Sequence, residues 1–142
     1  MEQHNARFPV PETGSGLARR TTAGVAVAVV ALLATQALVN GAGVELGGSG
    51  SMAPFATVPL IGTTVVAGIG AAIAYAVVDR FTDRSVRNYL AVAAVVFTVM
   101  LVPVFAVTPS MGITPAGQAL LVFYHVLVAV PLVGFIVGAM NV

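Results

Sequence analysis

Residues 88–142 read NYLAVAAVVFTVMLVPVFAVTPSMGITPAGQALLVFYHVLVAVPLVGFIVGAMNV, 55 residues without one formal charge. As a single helix this stretch would reach roughly 80 Å at about 1.5 Å per residue, against a bilayer hydrocarbon core of about 30 Å. It must therefore fold back once. The turn is legible at Thr108-Pro109-Ser110-Met111-Gly112-Ile113-Thr114-Pro115, where two prolines and a glycine interrupt the apolar run. Thr114 before Pro115 also makes a good helix start. The hydroxyl caps free amides, and proline occupies the first helical position, where its missing N–H costs nothing. Two crossings are predicted, at about 87–107 and 115–140.

The same logic divides the first half. Asp79, Arg80, Asp83, Arg84 and Arg87 close off the chain ahead of residue 88, with Ser85 as a helix-starting cap. Before them, an apolar run from Pro54 to Val78 carries Pro59 either in its first turns or as a kink. Thr21 to Val39 is apolar apart from Thr35 and Gln36. It runs into Asn40-Gly41-Ala42-Gly43 and then Gly47-Gly48-Ser49-Gly50-Ser51, a flexible linker composition. Two further crossings follow, at about 21–40 and 54–78. The fold class is an all-α membrane protein, a bundle of four transmembrane helices over residues 21–142, with residues 1–20 as a disordered tail. A transmembrane β-barrel needs segments of about ten residues that alternate in polarity. Runs such as Ala23-Gly24-Val25-Ala26-Val27-Ala28-Val29-Val30 are apolar on every face instead.

Composition agrees. Of 142 residues 58% are apolar and only 8% charged, which leaves no material for a water-facing surface. A net charge of +1 gives no footprint for nucleic acid, and with no cysteine there is no disulfide or thiolate chemistry. Arg7, Arg19 and Arg20 precede the first crossing, Arg80, Arg84 and Arg87 lie between the second and third, and the other connections carry no arginine or lysine. The positive-inside rule then places both termini in the cytoplasm of a cell (plasma) membrane. The first crossing is expected to be retained rather than cleaved as a signal, because its apolar run is longer than a usual signal core.

Helices in lipid associate by close backbone approach and a few hydrogen bonds, since lipid tails are as apolar as leucine. Candidate packing positions are Thr64, Gly68, Ala72 and Ala76, spaced by four on the second helix, as an intramolecular seam. Gly134 and Gly138 on the fourth, in GxxxG spacing, are candidates for a subunit contact. His125 is the one ionisable side chain deep in a span, next to Tyr124 and two turns after Gln118. An intramembrane ionisable group marks a possible proton relay or ligand contact. With no carboxylate at membrane depth, a neutral imidazole bonded to a carbonyl or hydroxyl is the simpler expectation. Gln36, Asn40, Thr63, Thr64 and Thr98 are expected to bond between helices. One membrane histidine makes no metal site, since zinc needs three or four ligands. The Asp79-Arg80 and Asp83-Arg84 pairs can bridge only if the second helix continues past the membrane.

Asp79-Arg80-Phe81-Thr82-Asp83-Arg84, an apolar helix ending at Pro103, and a last helix carrying Tyr124-His125-Val126-Leu127-Val128-Ala129 together resemble a family of small four-helix prokaryotic membrane proteins of unknown function. That family often has proline where this chain has Ser85, and methionine where it has Tyr124. The resemblance implies the four-helix topology and carries no activity, cofactor or catalytic residue. The expectation for function is a non-enzymatic membrane protein that works by self-association or as a small subunit of a membrane complex. The alternative is a small oligomeric transporter or channel with a polar path near His125 and Gln118. An intramembrane hydrolase would need a nucleophile and base, or a metal, at membrane depth.

Overall fold

The computed structural model of the protein describes residues 14–49 and 53–142. Four helices, α1 (Gly14–Gly41), α2 (Thr57–Phe81), α3 (Ser85–Ala106) and α4 (Pro115–Ile136), are each long and apolar enough to cross a membrane. The shortest has 22 residues, about 33 Å at 1.5 Å per residue, against a core of about 30 Å. A 3-10 turn over Thr108–Met111 joins α3 to α4. Among the described residues there is no strand, only an isolated antiparallel bridge between Gly47 and Ile113.

The helices run up, down, up and down. Leu17 of α1, Tyr75 of α2, Tyr89 of α3 and Ile136 and Val137 at the end of α4 pack together at the arginine-bearing end. Leu32, Leu60 and Tyr124, with Phe55, pack toward the opposite end, beside a second cluster of Val104, Ile113 and Leu121. Between the helices, glycines mark the close approaches. A Cβ on Gly24 would lie 3.1 Å from both Leu132 Cα and Pro131 O, and one on Gly68 would collide with Val25 Cγ2. Gly24 and Gly68 thus let α1, α2 and α4 close on one another, as lipid-embedded helices require. By contrast α3 is peripheral: of its 22 residues only Tyr89 and Val104 are buried.

Element ends differ from the sequence expectation in instructive ways. The first helix starts at Gly14 rather than residue 21, so Arg19 and Arg20 are helical. Of the expected tail, residues 14–20 are helix and 1–13 lie outside the described residues. Arginine is a good helix former, so charge marks the edge of the lipid and not the end of the helix. The extra turns are held by Leu17 in the core and by Thr21 Oγ1 donating to Leu17 O at 2.9 Å. At the other boundary α2 starts at Thr57, which puts Pro59 in its first turn, where no N–H is required, and removes the kink. The last helix stops at Ile136 rather than near 140. Gly138 takes φ +77°, the Gly138 amide donates to Phe135 O, and the Met140 amide donates to Gly134 O, an ordinary left-handed termination.

The α1–α2 connection is pinned where its composition suggested flexibility. Leu46 is buried, and its carbonyl accepts from the Thr114 amide at 2.9 Å. The Thr114 hydroxyl donates to Glu45 O at 2.8 Å and accepts from the Gly117 amide at 3.0 Å, so one residue caps α4 and ties the two loops together. Gly47 has φ +72° and passes so close to Gly112 O that no Cβ fits. Gly50, Ser51 and Met52 lie outside the described residues.

Candidate functional site

The side-chain hydrogen bonds that tie α4 to its neighbours fall into two groups on different faces of that helix. Tyr124 turns toward α1, where its hydroxyl donates to Gln36 Oε1 at 2.5 Å, and the Gln36 amide donates to Asn40 Oδ1 at 2.9 Å. Both Gln36 and Tyr124 are buried, so this bond joins α1 to α4 in a setting where an unmade bond would be costly. Phe55 meets the Tyr124 ring edge-on with centroids 6.4 Å apart. Gln118 turns toward α3, where its amide donates to Val104 O and to Thr108 Oγ1, both at 3.2 Å. Thr108 itself donates to Val104 O at 2.5 Å. The α3 terminus, with Pro103 inside it, would otherwise leave carbonyls unmet, and these two side chains satisfy one of them.

His125 shares the Gln118 side of α4 but meets neither Gln118 nor Tyr124. Its Nδ1 lies 2.7 Å from Leu121 O, one turn back on the same helix. A carbonyl only accepts, so Nδ1 is a protonated nitrogen, and in that tautomer Nε2 is left as the acceptor. The three residues singled out from sequence are therefore split: Tyr124 fastens α1, Gln118 fastens α3, and His125 bonds its own helix. No continuous polar route joins them among the described residues.

The packing candidates divide as well. Thr64 and Gly68 are buried, Ala72 is half-buried and Ala76 is exposed, while Tyr75 takes the inward position instead. Four residues turn a helix of 3.6 residues per turn by about 40° more than one revolution, so a spacing of four drifts off the seam within two steps. Gly134 faces Met140 of its own chain and Gly138 lies beyond the helix end, so the pair forms no GxxxG helix face. Thr63, Thr64 and Thr98 each donate to the carbonyl four residues back, at 2.6, 2.7 and 2.9 Å, rather than across to another helix. All five topology-setting arginines, Arg19, Arg20, Arg80, Arg84 and Arg87, lie at the end where α1 and α3 begin and α2 finishes. There α2 stops at Phe81, so Asp83 and Arg84 are off the helix, and Asp79 accepts instead from Ser85 Oγ at 2.6 Å.

The sequence matches the family described as "Family of unknown function (DUF6069)" over residues 12–141. The chain belongs to DUF6069. No curated protein and no solved structure matches it. Family membership and the four membrane-capable helices bear out the resemblance drawn from the Asp-Arg pairs and the last helix.

Three features of this DUF6069 chain escaped the residue pattern. No seam on α1 is among the sequence expectations, yet Gly24, Ala28, Leu32 and Gln36 stand at intervals of four and all are buried. Gly117 lies where a Cβ would meet Leu46 O, a contact between segments 71 residues apart. Tyr75 and Tyr89 stack edge-to-face, centroids 5.2 Å apart, and the Tyr75 hydroxyl is buried with no hydrogen-bond partner. Among the described residues no three His, Cys, Asp or Glu side chains gather as metal ligands.

Proposed function

We propose that this chain is a non-enzymatic multi-pass protein of a prokaryotic cell membrane, with its termini in the cytoplasm, that acts by associating with itself or with a larger membrane partner. The observation that carries this is the openness of α3. A helix with two buried residues leaves Leu90, Val92, Val95, Val96, Val99, Val102 and Phe105 exposed over about two-thirds of its circumference. Lipid satisfies such a face, and so does another helix, at a gain set by packing and hydrogen bonds rather than by water. Gln36 and Gln118 are engaged within the bundle, Gln36 with Tyr124 and Gln118 with the end of α3. Placement of the termini rests on the arginine asymmetry.

The test is the assembly state of the full chain. Purified in a mild detergent and reconstituted in nanodiscs, it should exceed the mass of one copy or retain a second membrane protein, and crosslinking in intact membranes should capture the same contact. A strictly monomeric particle together with an empty crosslinking result would remove the proposal.

A further inference from the structure

We infer that His125 is an open hydrogen-bond acceptor at membrane depth whose occupant is a donor side chain on a transmembrane helix of a different protein, lying against the α3–α4 side of the bundle. This rests on the association proposed above and names its partner.

His125 is ten residues into the 22 of α4, about 15 Å along at 1.5 Å per residue and so near the middle of a core of about 30 Å. Lipid headgroups do not reach that level. Its Nδ1–H is fixed on Leu121 O, which leaves a bare lone pair on Nε2, and no donor among the described residues meets it. The ring is half-buried, whereas Leu121 and Tyr124 ahead of it in the chain are buried. Spacing of four, three and four places Gln118, Val122, His125 and Ala129 on one face. That face looks toward α3, since Gln118 bonds Val104 O and Val122 packs on the Val104 cluster.

A second copy of the chain is a poor match. Its lipid-facing hydroxyls at depth, Thr63 and Thr98, already donate within their own helices, Gln118 has both amide protons on Val104 O and Thr108 Oγ1, and the Tyr124 hydroxyl is buried on Gln36. Its own His125 has its proton on Leu121 O. The complementary surface is an otherwise apolar helix with a hydroxyl, carboxamide or indole N–H near its middle, of the kind that joins helices in lipid.

The experiment places a photo-crosslinking amino acid at Val122 or Ala129 of the full chain in its native membrane, with Val66 on the exposed side of α2 as control. An adduct with a protein is expected from 122 and 129 and not from 66, with added mass different from 14.3 kDa. Its yield should fall at least five-fold in His125→Leu and persist in His125→Gln, whose amide oxygen supplies an acceptor. If His125→Leu does not reach the membrane, ring-15N NMR decides: the Nε2 resonance of the wild-type chain should move on adding the co-purified partner, and an unmoved resonance overturns the inference. An adduct of two copies, or one indifferent to residue 125, overturns it while leaving association intact. Absence of any protein adduct at all three positions overturns both.

Discussion

The Tyr75 hydroxyl is a buried donor with nothing to donate to, while its ring is well used against Tyr89. Removing an unsatisfied hydroxyl and keeping the ring recovers its desolvation penalty, so Tyr75→Phe should raise the stability of the bundle by about 1 kcal/mol. Thermal unfolding followed by circular dichroism in a fixed detergent checks the sign, and a lower midpoint would mean that the hydroxyl has a partner. The opposite case is Gln36. Replacing it with leucine strands the Tyr124 hydroxyl in the core and should cost about 1–3 kcal/mol. Adding Tyr124→Phe should then restore most of the loss, because the second change removes the stranded group. Unfolding midpoints for the two single variants and the double variant measure the coupling, and simple additivity would show that the bond carries nothing. Of this polar layer the sequence reveals which residues are worth watching and not whom they meet. Tyr124 and His125 are neighbours in the chain, yet a helix turns about 100° per residue, so they face different partners.

Helices follow from apolar length alone, and all four were legible because lipid permits no other use of 20 or more uncharged residues. Their ends were less legible. Arg19 and Arg20 look like a boundary by charge and sit inside α1, and Gly138 looks like a packing residue by spacing and terminates α4 through a positive φ. Seams were half legible: Thr64 and Gly68 lie on one, Ala76 does not, and on α1 the buried series Gly24, Ala28, Leu32 and Gln36 marks another. These glycines give a prediction that separates packing from helix propensity. A methyl at Gly24 would press on the Leu132 and Pro131 backbone, so Gly24→Ala should destabilise by about 1–2 kcal/mol. Gly62 and Gly70 of α2 have nothing within 4 Å of a Cβ, and alanine there should be neutral or stabilising by up to about 1 kcal/mol. Four unfolding curves suffice. If Gly24→Ala matches Gly62→Ala, the close approach of α1 and α4 is not what holds them together.

At the scale of the whole molecule the two ends of the bundle are built differently, and the difference predicts an orientation that can be tested. At one end lie Arg19, Arg20, Arg80, Arg84 and Arg87 together with the Tyr75–Tyr89 pair. At the other there is no basic residue among the described ones, Glu45 is the sole charge, and the two connecting loops are stapled by Thr114, Leu46 and the Gly47–Ile113 bridge. Translocation keeps short arginine-bearing segments in the cytoplasm, so the stapled loops should be outside. A reporter active only outside the cytoplasm should report when inserted after Ser49 and stay silent when fused after Val142, with a cytoplasm-active reporter giving the mirror pattern. Both the charge and its position matter, so replacing Arg80, Arg84 and Arg87 together with glutamine should weaken the bias and yield a mixed population, while Glu45→Gln should not. Reporters on the same side at positions 49 and 142 would mean that one of the four helices does not cross, and the outward placement of the stapled loops would fall with it.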